Sequence, residues 1–225
     1  MNTFTKIHFD TKEEWQEYKR VNQIIGGSSA SAIIGKNPWR TNKQVWKSLK
    51  NKSLEEDIGD KPQVKYGILA ERPIRELFAL DYPEYEVVNP PTGGYDLLIS
   101  SINPHLGGTL DGILLEKPTN RKGILEIKTT EILSSMSREQ WKDKIPDNYY
   151  IQVLHYLLVT DYDFAIVHAQ LKYSDGENTW TTRRSYLIEK EPNKEFMKYL
   201  LESEIKFIES LKGDIEPALI LPSIE

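Results

Sequence analysis

The stretch Gly123-Ile124-Leu125-Glu126-Ile127-Lys128-Thr129-Thr130 constrains the fold of this chain more than any other. Its β-branched and apolar residues, its leading Gly and the turn-rich segment 117–122 before it predict a strand. Side chains alternate faces along a strand, so Glu126 and Lys128 share one face while Leu125 and Ile127 share the other. Upstream stands Gly107-Gly108-Thr109-Leu110-Asp111-Gly112. A hairpin of 105–116 with 122–130 makes Asp111 converge with Glu126 and Lys128 at one end. On the residues alone two readings stay open: a surface ion pair, or the centre of a site.

The flanking pattern places that hairpin in a mixed architecture. Thr11-Lys12-Glu13-Glu14 and Thr41-Asn42-Lys43-Gln44 are capping boxes that open helices, the first carrying Trp15 and Tyr18, the second Val45, Trp46 and Leu49. Gly26-Gly27-Ser28-Ser29-Ala30-Ser31 forms a tight loop feeding a short helix over 30–34, which stops at Gly35. Helical spacing recurs over 62–80, with Pro73 as a new start or a kink. Residues 51–61 are charged and loop-like. Strands are expected over 84–89 and 95–101, helices over 137–144 and 149–159, paired strands over 164–173 and 180–188, and an amphipathic helix over 192–212. Pro217, Pro222 and Glu225 suggest a frayed tail. The order of elements predicts an α/β or α+β fold, a central mixed β-sheet flanked by helices, in one domain over 1–225.

Composition narrows the chemistry. The chain has no cysteine, which excludes disulfides, cysteine-zinc sites and cysteine-bound iron–sulfur clusters. No apolar run approaches the roughly 18 residues of a membrane span, and the first residues lack the apolar core of a signal peptide, so a soluble, cytoplasmic protein is expected. A net charge of −5 argues against a coat protein that neutralises many phosphates, and not against an enzyme that gathers carboxylates around metal. Neither G-x-G-x-x-G nor the P-loop pattern is present.

Hydrolysis of a phosphodiester near neutral pH needs its charge shielded and a hydroxide-like nucleophile. Hard divalent ions held by carboxylates supply both. Two carboxylates on adjacent strands hold such ions, and a lysine two residues after the second lies on the same face, where it orients water or stabilises charge. Asp111…Glu126-Ile127-Lys128 meets that requirement. With 34 acidic and 29 basic residues in the chain, chance also supplies such a motif.

Four stretches, in order, resemble the YqaJ-type phage recombinases, the group related to phage lambda exonuclease within the PD-(D/E)XK nuclease superfamily. The most specific runs from Ile25-Gly26-Gly27-Ser28-Ser29-Ala30-Ser31 through Ile34-Gly35-Lys36-Asn37-Pro38-Trp39. The second is Tyr66-Gly67-Ile68-Leu69-Ala70-Glu71. The third joins Leu110-Asp111-Gly112 to Leu125-Glu126-Ile127-Lys128. The fourth is Tyr150-Ile151-Gln152-Val153-Leu154-His155-Tyr156. The chain departs from the pattern at Leu154, where relatives often carry a second Gln, and at Leu110 in place of Pro.

The resemblance implies a restriction-endonuclease-like fold and a Mg²⁺-dependent 5′-to-3′ duplex DNA exonuclease, with two ions per site and Mn²⁺ as a substitute. It implies Asp111, Glu126 and the Ile127 carbonyl as metal ligands, Lys128 as catalytic lysine, Glu71 as a further carboxylate and Gln152 beside the core. It implies a 5′-phosphate site at Ser28, Ser29 and Ser31, which a helix N-terminus favours physically, with Arg20 as its cationic partner. It further implies double-stranded DNA ends as substrate, a single-strand annealing protein as partner, a ring-like homotrimer and a phage or prophage origin in a bacterial host. A site-specific endonuclease on the same fold and a non-catalytic DNA-end scaffold are the alternatives.

Other residues carry weaker signals. Lys36, Arg40, Lys43 and Lys47 form a basic ridge for DNA phosphates or a solvated face. Arg138, Lys142 and Lys144 form a second cluster, Arg183 and Arg184 a third. Trp39 and Trp46 are placed to stack on bases or to pack in the core. His155 lies one turn after Gln152, and a lone histidine there is more often structural than a ligand.

Overall fold

The period-2 pattern of residues 122–132 becomes the central strand of the molecule in a computed structural model, which describes residues 3–53, 59–91 and 93–222. This strand, β6 (Lys122–Ile132), follows β1 (Phe4–Phe9), β2 (Tyr85–Val88), β3 (Tyr95–Ser100), β4 (Gly107–Gly108) and β5 (Gly112–Glu116), and precedes β7 (Phe164–Ser174) and β8 (Thr179–Glu189). The helices are α1 (Lys12–Val21), α2 (Gly27–Ile33), α3 (Asn42–Lys50), α4 (Pro62–Asp81), α5 (Ser135–Gln140), α6 (Asp147–Thr160) and α7 (Lys194–Lys212).

Among the described residues, a five-stranded sheet runs β2-β5-β6-β7-β8 and a three-stranded sheet runs β1-β3-β4. The β5–β6 hairpin is antiparallel with Gly112 opposite Leu125. β6 pairs with β7 in parallel, with α6 as the crossover helix between them. β7 and β8 pair antiparallel over their whole length. The mixed sheet flanked by helices is the architecture that the element order predicts.

The two faces of β6 feed two cores. Leu125 and Ile127 pack with Ile74 and Phe78 of α4, with Leu114, Phe164 and Ile166 completing that cluster. Ile124 on the other face joins the larger core containing Ile151, Leu154 and Leu157 of α6 and Leu200, Phe207 and Ile208 of α7. Glu126 and Lys128 therefore look toward α6, and α4 covers the opposite face.

Several sequence expectations change. The 105–116 arm of the hairpin is broken: β4 pairs with β3 in the small sheet, β5 pairs with β6, and Asp111 stands in the break. Strand β1 was not expected. Its sequence, FTKIHF, lacks a clean apolar face because it is an outer strand paired to β3 alone, with half-buried residues on both sides. Helix α2 starts at Gly27 rather than Ala30. Residues 54–58 of the expected loop over 51–61 lie outside the described residues.

The expected frayed tail is held at Ala218 and Ile220, whereas Glu225 lies outside the described residues. Asn42 is 2% exposed. Its amide donates to the Ala218 carbonyl at 2.7 Å and accepts from the Ile220 N–H at 3.0 Å. A buried amide with both ends satisfied in this way fixes the chain that passes over it. Among the described residues, no helix is long and apolar enough to cross a membrane.

Candidate active site

The register of the hairpin puts Asp111 one step beyond the Gly112–Leu125 pair, opposite Glu126. Its carboxylate takes over a main-chain role there: Oδ2 accepts from the Ile127 N–H at 2.7 Å. Glu126 is 2% exposed. Its Oε1 accepts from Lys128 Nζ at 2.6 Å and from Gln152 Nε2 at 2.8 Å. Its Oε2 is buried without a hydrogen-bond partner among the described residues. Asp111, Glu126, Ile127, Lys128 and Gln152 are thus one contiguous constellation.

Burial sets the electrostatics. It pushes the Asp111 carboxyl well above the usual carboxylate value, with repulsion from Glu126 adding to the rise and Lys128 opposing it. It also raises Glu126, against the pull of Lys128. For Lys128, burial works to lower the pKa, but the carboxylates of Glu126 and Asp111 outweigh it and push the ammonium up to about 12. Two desolvated carboxylates beside one another, with one ammonium bonded to Glu126, make a buried cluster short of positive charge. Two hard oxygen donors in that state suit a hard divalent cation, so the residues present fit the ion that the motif implies. The Lys128 ammonium occupies the position of a counter-ion to Glu126.

Glu71 arrives from the other side of the sheet, on α4. Its Oε1 accepts from Arg75 Nη1 at 3.0 Å, and the same nitrogen donates to the Asp111 carbonyl at 2.5 Å. Because Glu71 is turned to Arg75, no group of three metal-ligating side chains is assembled among the described residues. Glu71, Arg75 and Asp111 share the wall of a cleft of about 770 Å³.

The glycine-serine loop reaches the constellation by close packing. A Cβ on Gly27 would stand 2.7 Å from Gln152 Cγ and 2.9 Å from the Tyr156 ring, and one on Gly108 would stand 2.6 Å from that ring. Both positions therefore require glycine for Tyr156 to lie between them. The Tyr156 hydroxyl accepts from Gln152 Nε2 at 3.0 Å.

The three serines separate. Ser28 is exposed, and no side chain caps α2. Ser29 and Ser31 are buried. The Ser31 hydroxyl donates to the Ser28 carbonyl at 3.2 Å and accepts from Asn37 Nδ2 at 3.2 Å, so it braces the turn instead of facing outward. Arg20 is bound to Glu17 and to the Lys52 carbonyl. It lines a separate small pocket with Gln16 and Ser48.

The basic ridge is engaged within the chain. Lys36 pairs with Asp147 at 3.0 Å, Lys43 and Lys47 with Glu216 at 3.1 and 3.7 Å, and Lys50 with Asp214 at 2.8 Å. Arg40 also has an interaction partner. Trp46 belongs to the core, whereas Trp39 is 71% exposed, 6.4 Å from Tyr149, whose ring lies under Lys128 Nζ.

The remaining basic candidates have partners within the chain, apart from Lys144, which is exposed. Arg138 lies over Tyr173, Lys142 lies near Glu139, Arg183 pairs with Asp81, and Arg184 donates to the Trp141 carbonyl. His155 is fully buried between Glu204 and the Gly107 carbonyl, the structural role expected for it.

With this geometry in place, residues 14–163 match the YqaJ-like viral recombinase domain. The chain belongs to that family. It is 26% identical to the protein YqaJ of Bacillus subtilis (strain 168) over 93% of its own length, and spans 59% of that relative. Its fold is similar to that of an alkaline exonuclease from Laribacter hongkongensis, with a TM-score of 0.64 at 16% identity, covering 90% of this chain and 94% of that one. A phage-related exonuclease from Haemophilus somnus 129PT is similar with a TM-score of 0.56 at 14% identity, covering 86% and 99%. The YqaJ-like region contains every residue of the constellation.

Sequence reasoning did not single out Arg75 or Tyr156. Arg75 stands four residues after Glu71, the spacing at which helical side chains meet, and that spacing was a usable signal. Tyr156 closes the fourth stretch of the resemblance, four residues after Gln152, the spacing at which their side chains meet.

Proposed function

We propose that the chain is a Mg²⁺-dependent exonuclease that degrades one strand of duplex DNA from its 5′ end and leaves a 3′ overhang. The observation that carries this reading is the bare, buried Oε2 of Glu126 beside Asp111 and Lys128 on one hairpin. Family membership and the likeness to solved exonucleases support it.

Asp111, Glu126 and the Ile127 carbonyl would hold the ion, with Mn²⁺ as a substitute and Glu71 serving a second ion. The bound metal supplies Lewis acidity toward the phosphodiester. Gln152 keeps Glu126 in place. Lys128 leaves Glu126 for the attacking water, orienting its oxygen toward phosphorus and stabilising the developing charge. The water oxygen bonds to phosphorus, the bond to the 3′ oxygen breaks, and a 5′-mononucleotide leaves with a proton returned to that oxygen. Ser28 at the start of α2 meets the 5′-phosphate, and Trp39 stacks on the terminal base. An annealing protein takes up the 3′ strand. Three copies around a channel would hold duplex despite the negative net charge, and light scattering that gives a monomer would remove that element.

The test is linear duplex labelled at either end, with Mg²⁺ and then with EDTA, beside covalently closed circular duplex. Early release of the 5′ label, resistance of the circle and full inhibition by EDTA are expected. Cutting of the circle would replace the exonuclease with an endonuclease.

A further inference from the structure

Arg75 is 7% exposed, and a guanidinium stays charged at any pH a protein tolerates. Burying such a charge costs several kcal/mol even after relaxation. Packing does not require it: Ile74 and Phe78 already fasten α4 to Leu114, Leu125 and Ile127. Both acceptors of Arg75 belong to the candidate site. One nitrogen, Nη1, donates to the Glu71 carboxylate and to the main-chain carbonyl of Asp111, 36 residues away. The Arg75 Nε–H is buried with no partner among the described residues.

We infer that Arg75 is a positioning residue for the divalent ion. It pins the backbone at Asp111, in the break between β4 and β5 where no ladder bond holds it, and it holds Glu71 one helical turn away. Asp111 then has two fixed points: its carbonyl on Arg75 and its Oδ2 on the Ile127 N–H. The other oxygen of Asp111 and the bare oxygen of Glu126 keep their spacing before any ion arrives. This inference rests on the reading of Asp111 and Glu126 as ion ligands.

A charge-only role has a different signature. A cation beside an ion site weakens binding, so its removal would tighten it. Arg75→Lys keeps the charge and loses the planar fork, which separates the two roles. Partners that orient metal ligands are typically worth about 10–100-fold in metal affinity. Mg²⁺ titration of the DNA-free protein by calorimetry should show Arg75→Lys binding about tenfold more weakly than wild type. Its melting temperature in EDTA should stay near the wild-type value.

Wild-type affinity in Arg75→Lys overturns the inference, whether or not its melting temperature falls, because a merely structural arginine would leave the ion untouched. If that variant does not fold, the wild-type protein decides. The Arg75 Nε–H resonance, followed by NMR during Mg²⁺ titration, should shift with the same midpoint as ion binding, and a stationary resonance overturns the inference. A wild-type protein that binds no Mg²⁺ at all sinks the ion site itself, a failure distinct from that of Arg75 alone.

Discussion

Two clusters of opposite charges sit on this molecule, and they differ in what surrounds them. At the hairpin, Asp111 and Glu126 face Lys128 within the protein interior, and buried Arg75 joins Asp111 to a half-exposed Glu71. On α3, Lys43, Lys47 and Lys50 face Glu216 and Asp214 of the tail in water. Distances are alike, since Lys128 to Glu126 is 2.6 Å and Lys50 to Asp214 is 2.8 Å. Consequences are not. Burial drives Asp111 and Glu126 up and makes each partner costly to remove. In water a hydrogen bond from Lys43 draws the Glu216 carboxyl down, and exposed pairs of this kind add little to stability. The first cluster holds unfavourable negative charge in the interior. The second holds its charges loosely, where a stronger anion can exchange for the carboxylates.

The largest expected effect breaks the first cluster at its cation. Lys128→Met should lower the rate of duplex degradation about 10³-fold, the scale of a positioned proton donor or charge stabiliser. Single-turnover assays on end-labelled duplex measure this, with circular dichroism to confirm the fold. Retained activity would return Lys128 to the role of a surface-type partner for Glu126.

Asp111→Asn tests the stored charge directly. The amide oxygen can still accept from the Ile127 N–H, while the desolvated negative charge is gone. The melting temperature in EDTA should rise by about 2–4 °C, which corresponds to about 1 kcal/mol in a chain of this size. Mg²⁺ should raise the melting temperature of wild type, and that rise should be absent in Asp111→Asn. Loss of stability in EDTA would mean that the charge is already compensated and that the contrast between the two clusters is false.

How far the sequence showed this depends on what kind of contact each feature needs. The meeting of Asp111, Glu126 and Lys128 was legible because strand alternation and hairpin register are local rules. The reach of Gln152 to Glu126 followed from family order. Placing Ser29 and Ser31 needed the tilt of α2 against α6, which no periodicity encodes over a seven-residue helix. The bond from Arg75 to the Asp111 carbonyl was hidden because a main-chain acceptor leaves no trace in residue type. Asn42 looked like the second residue of a capping box, and only the fold brings Ala218 and Ile220 to its amide. Strand β1 failed for a related reason: its partner β3 lies some 90 residues on, at Lys6 opposite Leu98.

A third prediction concerns a buried group that has no cation to gain. His168 lies on β7 beside Phe78, bonded to Ser185, with Nε2 unpartnered among the described residues. Burial, with Arg183 adding to it, lowers its pKa to about 4. A depressed histidine contributes stability that is present above the unfolded value of about 6.5 and is lost as pH falls toward the folded one. Denaturant midpoints should therefore drop between pH of about 6.5 and about 4, and His168→Gln should flatten that slope. An equal slope in both proteins would assign the acid sensitivity elsewhere.

The smallest effect sharpens the second cluster. Asp214→Asn with Glu216→Gln removes the anions facing the α3 lysines but leaves the Asn42 clasp on Ala218 and Ile220, so the tail stays docked. Because these pairs are exposed, the melting temperature should change by no more than about 2–4 °C. If the ridge meets DNA, duplex binding in the presence of EDTA should tighten a few-fold. Its salt dependence should steepen, since each added phosphate contact contributes about 0.9 to the slope of log K against log salt. The tail carboxylates would then act as occupants that phosphates displace, and the wild-type protein would spend part of its binding free energy on that exchange. Unchanged affinity with an unchanged slope would show that Lys43, Lys47 and Lys50 serve the tail alone, and that DNA is gripped elsewhere on the surface.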